Sequence, residues 1–398
     1  MIGCTKLLCG TATVSEALHA QQSGEKVPAR LLQFSSDLRP LVVWNLTNRC
    51  NLRCKHCYIS AEDRAYQDEL TTDEATAFLK DIGEMGCPVV LFSGGEPLVR
   101  KDIYELADFG TKAGLRVVLS TNGTLITPEV AGKLAGSGVQ YVGVSLDGAQ
   151  AVHDAFRGRK GCFEEALTGL EHAAAAGLNT GVRFTVNKEN VNDLPAVIHA
   201  VVEHGIPRFC MYHLVYTGRG EEMMGLDTDL AEKRLTMEFL AAKTKQLRAA
   251  GTDVEILTVD NHADGVFIYR QVLEEQPERA DEVRHLLEMH GGCSAGVKIS
   301  NVDPRGDVHP CQFWPHMTLG NVRERRFSEI WRDESNDLLA QLRNKPEHLK
   351  GRCGACAYRG ICGGCRIRAE KVHGDVWAAD PACYLRDDEI GIVAEQIA

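Results

Sequence analysis

Between residues 41 and 216 the chain alternates two patterns of apolar and polar positions. Stretches of helical period carry apolar residues three and four apart, as in Ala75, Phe78, Leu79 and Ile82. A glycine stops each stretch, and a nearly continuous apolar run follows. The joints are Gly86, Gly114, Gly138, Gly177 and Gly205. A glycine just past a helix end accepts the left-handed conformation that closes the last turn. Helix starts are marked as well. Thr71 and Glu74 are spaced as a capping box, and Thr127-Pro128 places proline after an N-cap residue. Successive joints lie roughly thirty residues apart, the length of a βα unit. With the opening run at 41–46, the pattern predicts six parallel strands covered by helices.

Polar residues choose between an open sheet and a barrel. They follow the end of strand after strand: the loop from Cys50, Ser93-Gly94-Gly95-Glu96, Ser120-Thr121-Asn122, Ser145-Leu146-Asp147 and Tyr212-His213. A site fed by many strand ends is the barrel arrangement, whereas an open sheet gathers its site at one crevice. The fold class predicted is α/β, a partial (β/α)6 TIM-type barrel over 41–216. Residues 1–40 form an N-terminal extension ahead of it. Residues 217–290 are predicted as a helical linker region, interrupted by the apolar run 254–259. Residues 291–398 form a cysteine-rich C-terminal domain.

The 398 residues, 44% hydrophobic, are ample for a large core. A net charge of −11 disfavours nucleic acid as a partner. No apolar stretch approaches the ~20 residues of a membrane span. Cys9 superficially resembles a lipoprotein cleavage site, but no charged region followed by an apolar one precedes it. The chain is expected to be cytoplasmic. Its fifteen cysteines then read as metal ligands rather than disulfides. Cys4, Cys9, Cys87, Cys162 and Cys210 are scattered and are expected to be incidental or buried thiols.

The others are grouped. Cys50, Cys54 and Cys57 leave the first strand at a spacing that can hold three irons of a 4Fe–4S cube. The fourth iron is left for a substrate or cosubstrate. The alternative is a zinc ion with His56 or a remote residue as fourth ligand, but the loop lacks the second Cys/His pair of a zinc finger. Gly94-Gly95-Glu96-Pro97 ends the next strand, where glycines allow a backbone to approach a ligand closely.

Cys-x3-Cys-x2-Cys after the first strand and Gly-Gly-Glu-Pro after the second resemble the radical S-adenosylmethionine (SAM) superfamily. That resemblance implies that SAM binds the open iron and is cleaved by an electron to a 5′-deoxyadenosyl radical. It implies Cys50, Cys54 and Cys57 as cluster ligands and Gly94, Gly95, Glu96 and Pro97 at the methionine amino group. Asn122, Ser145 and Asp147 would meet the ribose and carboxylate, with Arg157 a further carboxylate partner, and His56 would lie at the adenine.

The tail holds Cys293, Cys311, Cys353, Cys356, Cys362, Cys365 and Cys383, too many for one tetrahedral ion. Attached to such a barrel they resemble the SPASM extension, with one or two auxiliary iron–sulfur clusters. Its threading gives Cys353, Cys356, Cys362 and Cys383 to one cluster and Cys293, Cys311 and Cys365 to the other. For the latter, His309 or His290 is a candidate fourth ligand, or an iron stays open.

Residues 5–10, 41–47, 213–220 and 257–265 resemble the group of these enzymes that trims side chains from siroheme-derived iron tetrapyrroles. The resemblance implies loss of the two acetates of 12,18-didecarboxysiroheme. Propionate removal in haem d1 synthesis is the nearest rival, and peptide maturation the rival of another class. It also implies an iron tetrapyrrole substrate and a low-potential donor such as flavodoxin or ferredoxin. Arg183, Lys188 and Arg219 are candidate anchors for substrate carboxylates. His213, Tyr216 and His262 could face the macrocycle, and His213, Tyr216 and Arg219 are the catalytic candidates.

Overall fold

A computed structural model describes residues 1–10 and 39–392. The chain opens with a two-residue strand, β1 (Ile2–Gly3), and a short helix, Cys4–Cys9. The six predicted strands follow: β2 (Leu41–Asn45), β3 (Val89–Ser93), β4 (Arg116–Thr121), β5 (Tyr141–Ser145), β6 (Asn179–Val186) and β7 (Arg208–His213). They pair in chain order and all in parallel. The five glycine joints have φ between 61° and 83°, as a helix-closing left-handed residue requires. Both halves of the Thr71–Glu74 capping box form, and Thr127 accepts from the Val130 N–H.

Two expectations need correction. Residues 254–259 do not interrupt a linker. They contain β8 (Glu255–Val259), parallel to β7, and the helix Leu230–Ala249 is the crossover that leads to it. The charged helices on both sides hide this seventh βα unit in the sequence. The first ten residues also pack onto the barrel, with Ile2–Gly3 joining the sheet, rather than standing only as an extension ahead of it. β1 pairs antiparallel with β8 and closes that edge, and Cys4–Cys9 packs on Leu230–Ala249. Residues 11–38 of the predicted extension lie outside the described residues.

At the other edge β9 (Ile299–Val302) adds in parallel to β2 and continues antiparallel through β10 (Asp307–His309) and β11 (Gly320–Asn321). The result is one sheet of eleven strands in the order β1-β8-β7-β6-β5-β4-β3-β2-β9-β10-β11.

Side chains alternate along each strand. Val42, Trp44, Val90, Phe92, Val117, Leu119, Val142, Val144, Val182 and Phe184 enter the core beneath the helices. The edges of Phe78 and Phe92 meet Trp44 at 5.4 and 5.5 Å. The opposite face is apolar at its base, where Leu41, Val89, Leu91, Val118 and Tyr141 cluster. Toward the strand ends it turns polar, with Asn45, Ser93, Ser120, Ser145, Arg183, Cys210 and Tyr212. The strands are therefore two-sided, not uniformly apolar. Among the described residues no helix is long and apolar enough to cross a membrane.

Candidate functional site

The loop leaving β2 carries three cysteines. Cys50 and Cys54 are buried and Cys57 is half-buried. Each sulfur faces an N–H donor: Leu52 N to Cys50 Sγ at 3.4 Å, Arg157 Nη1 to Cys54 Sγ at 3.5 Å and Ala61 N to Cys57 Sγ at 3.3 Å. Burial pushes the Cys50 thiol up to about 12, helped by the charge of Glu96, and raises Cys54. The charges of Cys54 and Cys57 add to the rise at Cys50, so holding the three as thiolates calls for a cation among them. The chemistry of this donor set fits an iron–sulfur cluster.

The Gly-Gly-Glu-Pro segment bolts this loop in place. A Cβ on Gly95 would lie 2.2 Å from the Arg49 carbonyl oxygen, and one on Gly94 2.6 Å from that of Thr47. The close approach these glycines permit is thus to the chain's own backbone, where Gly95 and Glu96 donate to Thr47 and Arg49. Glu96 is fully buried, its carboxylate accepting from Thr121 Oγ1, Asn122 N and Leu98 N. It welds the end of β3 to the end of β4 and caps the turn Pro97–Val99. Asn122 donates to Asn51 at 2.8 Å and reaches Cys50 Sγ at 3.9 Å.

Beyond β5, buried Asp147 accepts from Arg157 and from Thr185 N, and Arg157 extends on to Cys54. Burial works to raise the Asp147 carboxyl, but Arg157, and after it His56, hold it below the usual range. The His56 ring stacks on Phe156 at 4.7 Å, with Nε2 3.8 Å from Asp147, and burial lowers its pKa to about 4. His56 Nδ1, Arg157 Nε and Arg219 Nη2 are buried and have no hydrogen-bond partner in the protein. A carboxylate-bearing cofactor beside the cysteine loop supplies acceptors of the kind such groups need. Ser145, partly accessible, stands two residues before Asp147.

The other candidates fall elsewhere. His213 and Tyr216 are buried, bonded to Asp264 at 3.0 Å and Asp227 at 2.7 Å, and have no accessible face for a macrocycle. Arg219 braces the cysteine loop, donating to the carbonyls of Cys54 and Ala61 at 2.8 and 3.0 Å, and keeps Nη2 without a partner. Arg183 does lie on the polar inner face, bonded to Ser120. Sequence reading missed Tyr58, whose hydroxyl joins Asn45 Oδ1 and Ser93 Oγ across that face. The signal was there in the polar residues at alternate strand positions.

The tail cysteines separate into two groups. Cys353, Cys356, Cys362 and Cys383 line one cavity, together with Arg352, Arg359 and Asp380. Cys293, Cys311 and Cys365 share a second cluster with Trp314 and Ile367. Gly363 and Gly364, at φ 68° and 57°, turn the chain so that Cys362 and Cys365 enter different groups. The groups touch through the Cys293 N–H, which donates to the Cys362 carbonyl at 3.1 Å. His290, one suggested fourth ligand, bonds the Met1 amine through Nε2, and its Nδ1 is buried without a partner.

Comparison with known proteins agrees with this layout. Residues 44–201 match the radical SAM superfamily, and residues 293–357 match SPASM, an iron–sulfur cluster-binding domain. The chain is 50% identical to Fe-coproporphyrin III synthase of Methanosarcina barkeri, over 98% of its own length and 99% of that protein's. It is 42% identical to pre-heme d1 synthase of Dinoroseobacter shibae, over 90% and 89%. Streptococcus suis SuiB bound to its precursor peptide superposes with a TM-score of 0.71, covering 94% of this chain and 82% of that one, at 20% identity, a likeness of fold alone. A barrel whose first strand feeds three clustered cysteines, joined to a tail with two more cysteine groups, therefore makes this chain a SPASM-containing member of the radical SAM superfamily, an enzyme that uses S-adenosylmethionine, a 4Fe–4S cluster and auxiliary iron–sulfur clusters.

Proposed function

We propose that the enzyme removes the two acetate side chains of 12,18-didecarboxysiroheme and yields iron-coproporphyrin III. The observation that carries this reading is the 50% identity to a synthase named for that product, spanning 98% of the chain. On this reading Cys50, Cys54 and Cys57 hold the barrel cluster. Cys353, Cys356, Cys362 and Cys383 hold one auxiliary cluster, and Cys293, Cys311 and Cys365 belong to the other. When bound there, SAM and the reduced barrel cluster would supply the 5′-deoxyadenosyl radical chemistry for hydrogen-atom abstraction from the macrocycle.

The chain's own residues orient the partners. Arg157, fixed by Asp147, offers its Nε to the SAM carboxylate, and neutral His56 lies beside it. Arg183, Tyr212 and Tyr58 supply polar contacts for an anionic macrocycle on the inner face, while the apolar base under them excludes water. A flavodoxin- or ferredoxin-type donor supplies the electron. All fifteen cysteines are free of disulfides, which supports a reducing, cytoplasmic location.

Anaerobic incubation with SAM, reductant and didecarboxysiroheme, followed by mass spectrometry of the tetrapyrrole, tests the reading. Loss of two acetates is expected. Unchanged tetrapyrrole beside normal SAM cleavage sinks it, and loss of propionates moves the enzyme to the pre-heme d1 reaction of its 42% identical relative. Cys54→Ala should abolish SAM cleavage, and persistent cleavage would remove the barrel cluster from this loop.

A further inference from the structure

The helix Arg366–His373 opens with two arginines on its first turn, Arg366 and Arg368, both wholly buried. Burying a cation is strongly unfavourable unless an anion stands against it. Arg368 has its anion. Its Nε and Nη2 each donate to the Asp380 carboxylate at 3.1 Å. Arg366 meets no carboxylate in its hydrogen bonds. Its Nη1 donates to the carbonyls of Val376 and Ala378 at 2.9 and 2.8 Å, and its Nε reaches that of Gly364 at 3.5 Å. The remaining nitrogen, Nη2, lies 3.9 Å from Cys353 Sγ.

The backbone is shaped around that contact. Gly364 holds φ at 57°, and a Cβ there would lie 2.6 Å from Arg366 Nη2 and 3.4 Å from Cys353 Sγ. A glycine leaves the guanidinium its place beside the sulfur. The Asp380 N–H donates to the same sulfur at 3.4 Å. Cys353 is thus met by two N–H donors, one of which carries a full charge. Arg366 directly follows Cys365, yet the two serve different groups. Cys365 packs with Cys293 and Cys311, while Arg366 turns to Cys353.

The other arginines at the four-cysteine cavity are placed differently. Arg352 donates to the Asp387 carboxylate at 2.7 Å, and exposed Arg359 donates to the Gly354 carbonyl at 2.9 Å. Water screens an exposed charge and a carboxylate offsets a paired one. Arg366 is neither screened nor offset.

We propose that Arg366 sets the reduction potential of the cluster held by Cys353, Cys356, Cys362 and Cys383, raising it through the charge held against the Cys353 sulfur. This rests on the assignment of those four cysteines to one cluster. A guanidinium is always charged in a protein. Adding an electron makes a cluster more negative, so a buried cation and a hydrogen bond at its sulfur favour the reduced form. The same contact gives the buried guanidinium its counter-charge.

The test uses full-length protein, reconstituted anaerobically and titrated with reductant while electron paramagnetic resonance follows each cluster. The signal that SAM perturbs belongs to the barrel, and the signal that Cys356→Ala removes belongs to the four-cysteine cluster. Arg366→Gln should make reduction of the latter about tenfold less favourable, about 59 mV for one electron. Arg366→Lys keeps the charge and should stay close to the unmodified midpoint, and the barrel signal should not move in either variant. An unmoved midpoint in Arg366→Gln overturns the proposal. So does an equal fall in both variants, which leaves Arg366 only a brace for the carbonyls around it. Where Arg366→Gln loses the cluster, protein carrying isotopically labelled nitrogen in its arginine guanidinium groups decides. Pulsed resonance should show a labelled-nitrogen coupling on the four-cysteine signal that Arg366→Lys abolishes. No coupling in the unmodified protein, or one that survives in Arg366→Lys, overturns the proposal. A full set of signals in Cys356→Ala instead refutes the ligand assignment itself, and the proposal with it.

Discussion

Arg157 is the residue on which the site's electrostatics turn. It neutralises buried Asp147 and donates to the Cys54 sulfur while 7% exposed. Removing one partner of such a pair leaves a charge buried without compensation, at a cost of about 3–5 kcal/mol. Arg157→Met should lower the thermal unfolding midpoint accordingly, and Asp147→Asn in the same chain should recover part of the loss. His153 gives a pH signature. Its Nδ1 accepts the Asp147 N–H at 3.0 Å, which requires a neutral ring, and burial lowers its pKa to about 4. An unfolded histidine titrates near 6.5. The neutral ring's contribution, about 3 kcal/mol, is therefore intact above pH 6.5 and lost as pH falls from there to 4. Thermal melts across that window should show the decline, and His153→Gln should flatten it. In the sequence, Asp147 and Arg157 were each legible as cofactor contacts through the resemblance to the superfamily. Their direct contact was not, because it depends on how the helix Gln150–Arg157 folds back over the end of β5.

At the scale of elements, the joint between β2 and β3 decides whether the cysteine loop holds its shape. Gly95→Ala would drive a methyl group into the Arg49 carbonyl, 2.2 Å away, and must displace the chain leading to Cys50. The expected outcome is loss of about four irons per chain, by iron and sulfide analysis, with the auxiliary clusters still visible by electron paramagnetic resonance. Six strands, their glycine stops and their helix caps were readable because each follows from local chemistry: a left-handed residue, an N-cap, an apolar run. β8 was not, since its five residues look the same whether they break a helical linker or extend a sheet. Nor was the burial of His213 and Tyr216. A histidine at a strand end looks equally fit for a site or for a structural bond, and only the approach of Asp264 and Asp227 settles which.

Over the whole molecule, the sheet ends at β11, and the residues beyond it fold as short helices and turns around the cysteine groups. Such a segment draws much of its stability from metal. Removing iron with a chelator should make residues 345–392 the first region cut in limited proteolysis, while the barrel stays intact. Conversely, β9 runs beside β2, the strand that launches the first cysteine loop. The same sheet reaches back to β1, and the two tail groups share a main-chain hydrogen bond. With the first cysteine loop launched from this sheet and the tail groups tied to each other beside it, the tunnelling gaps between the centres are set when the chain folds. The timing of electron delivery then depends on the driving force between centres, not on a domain swinging into reach.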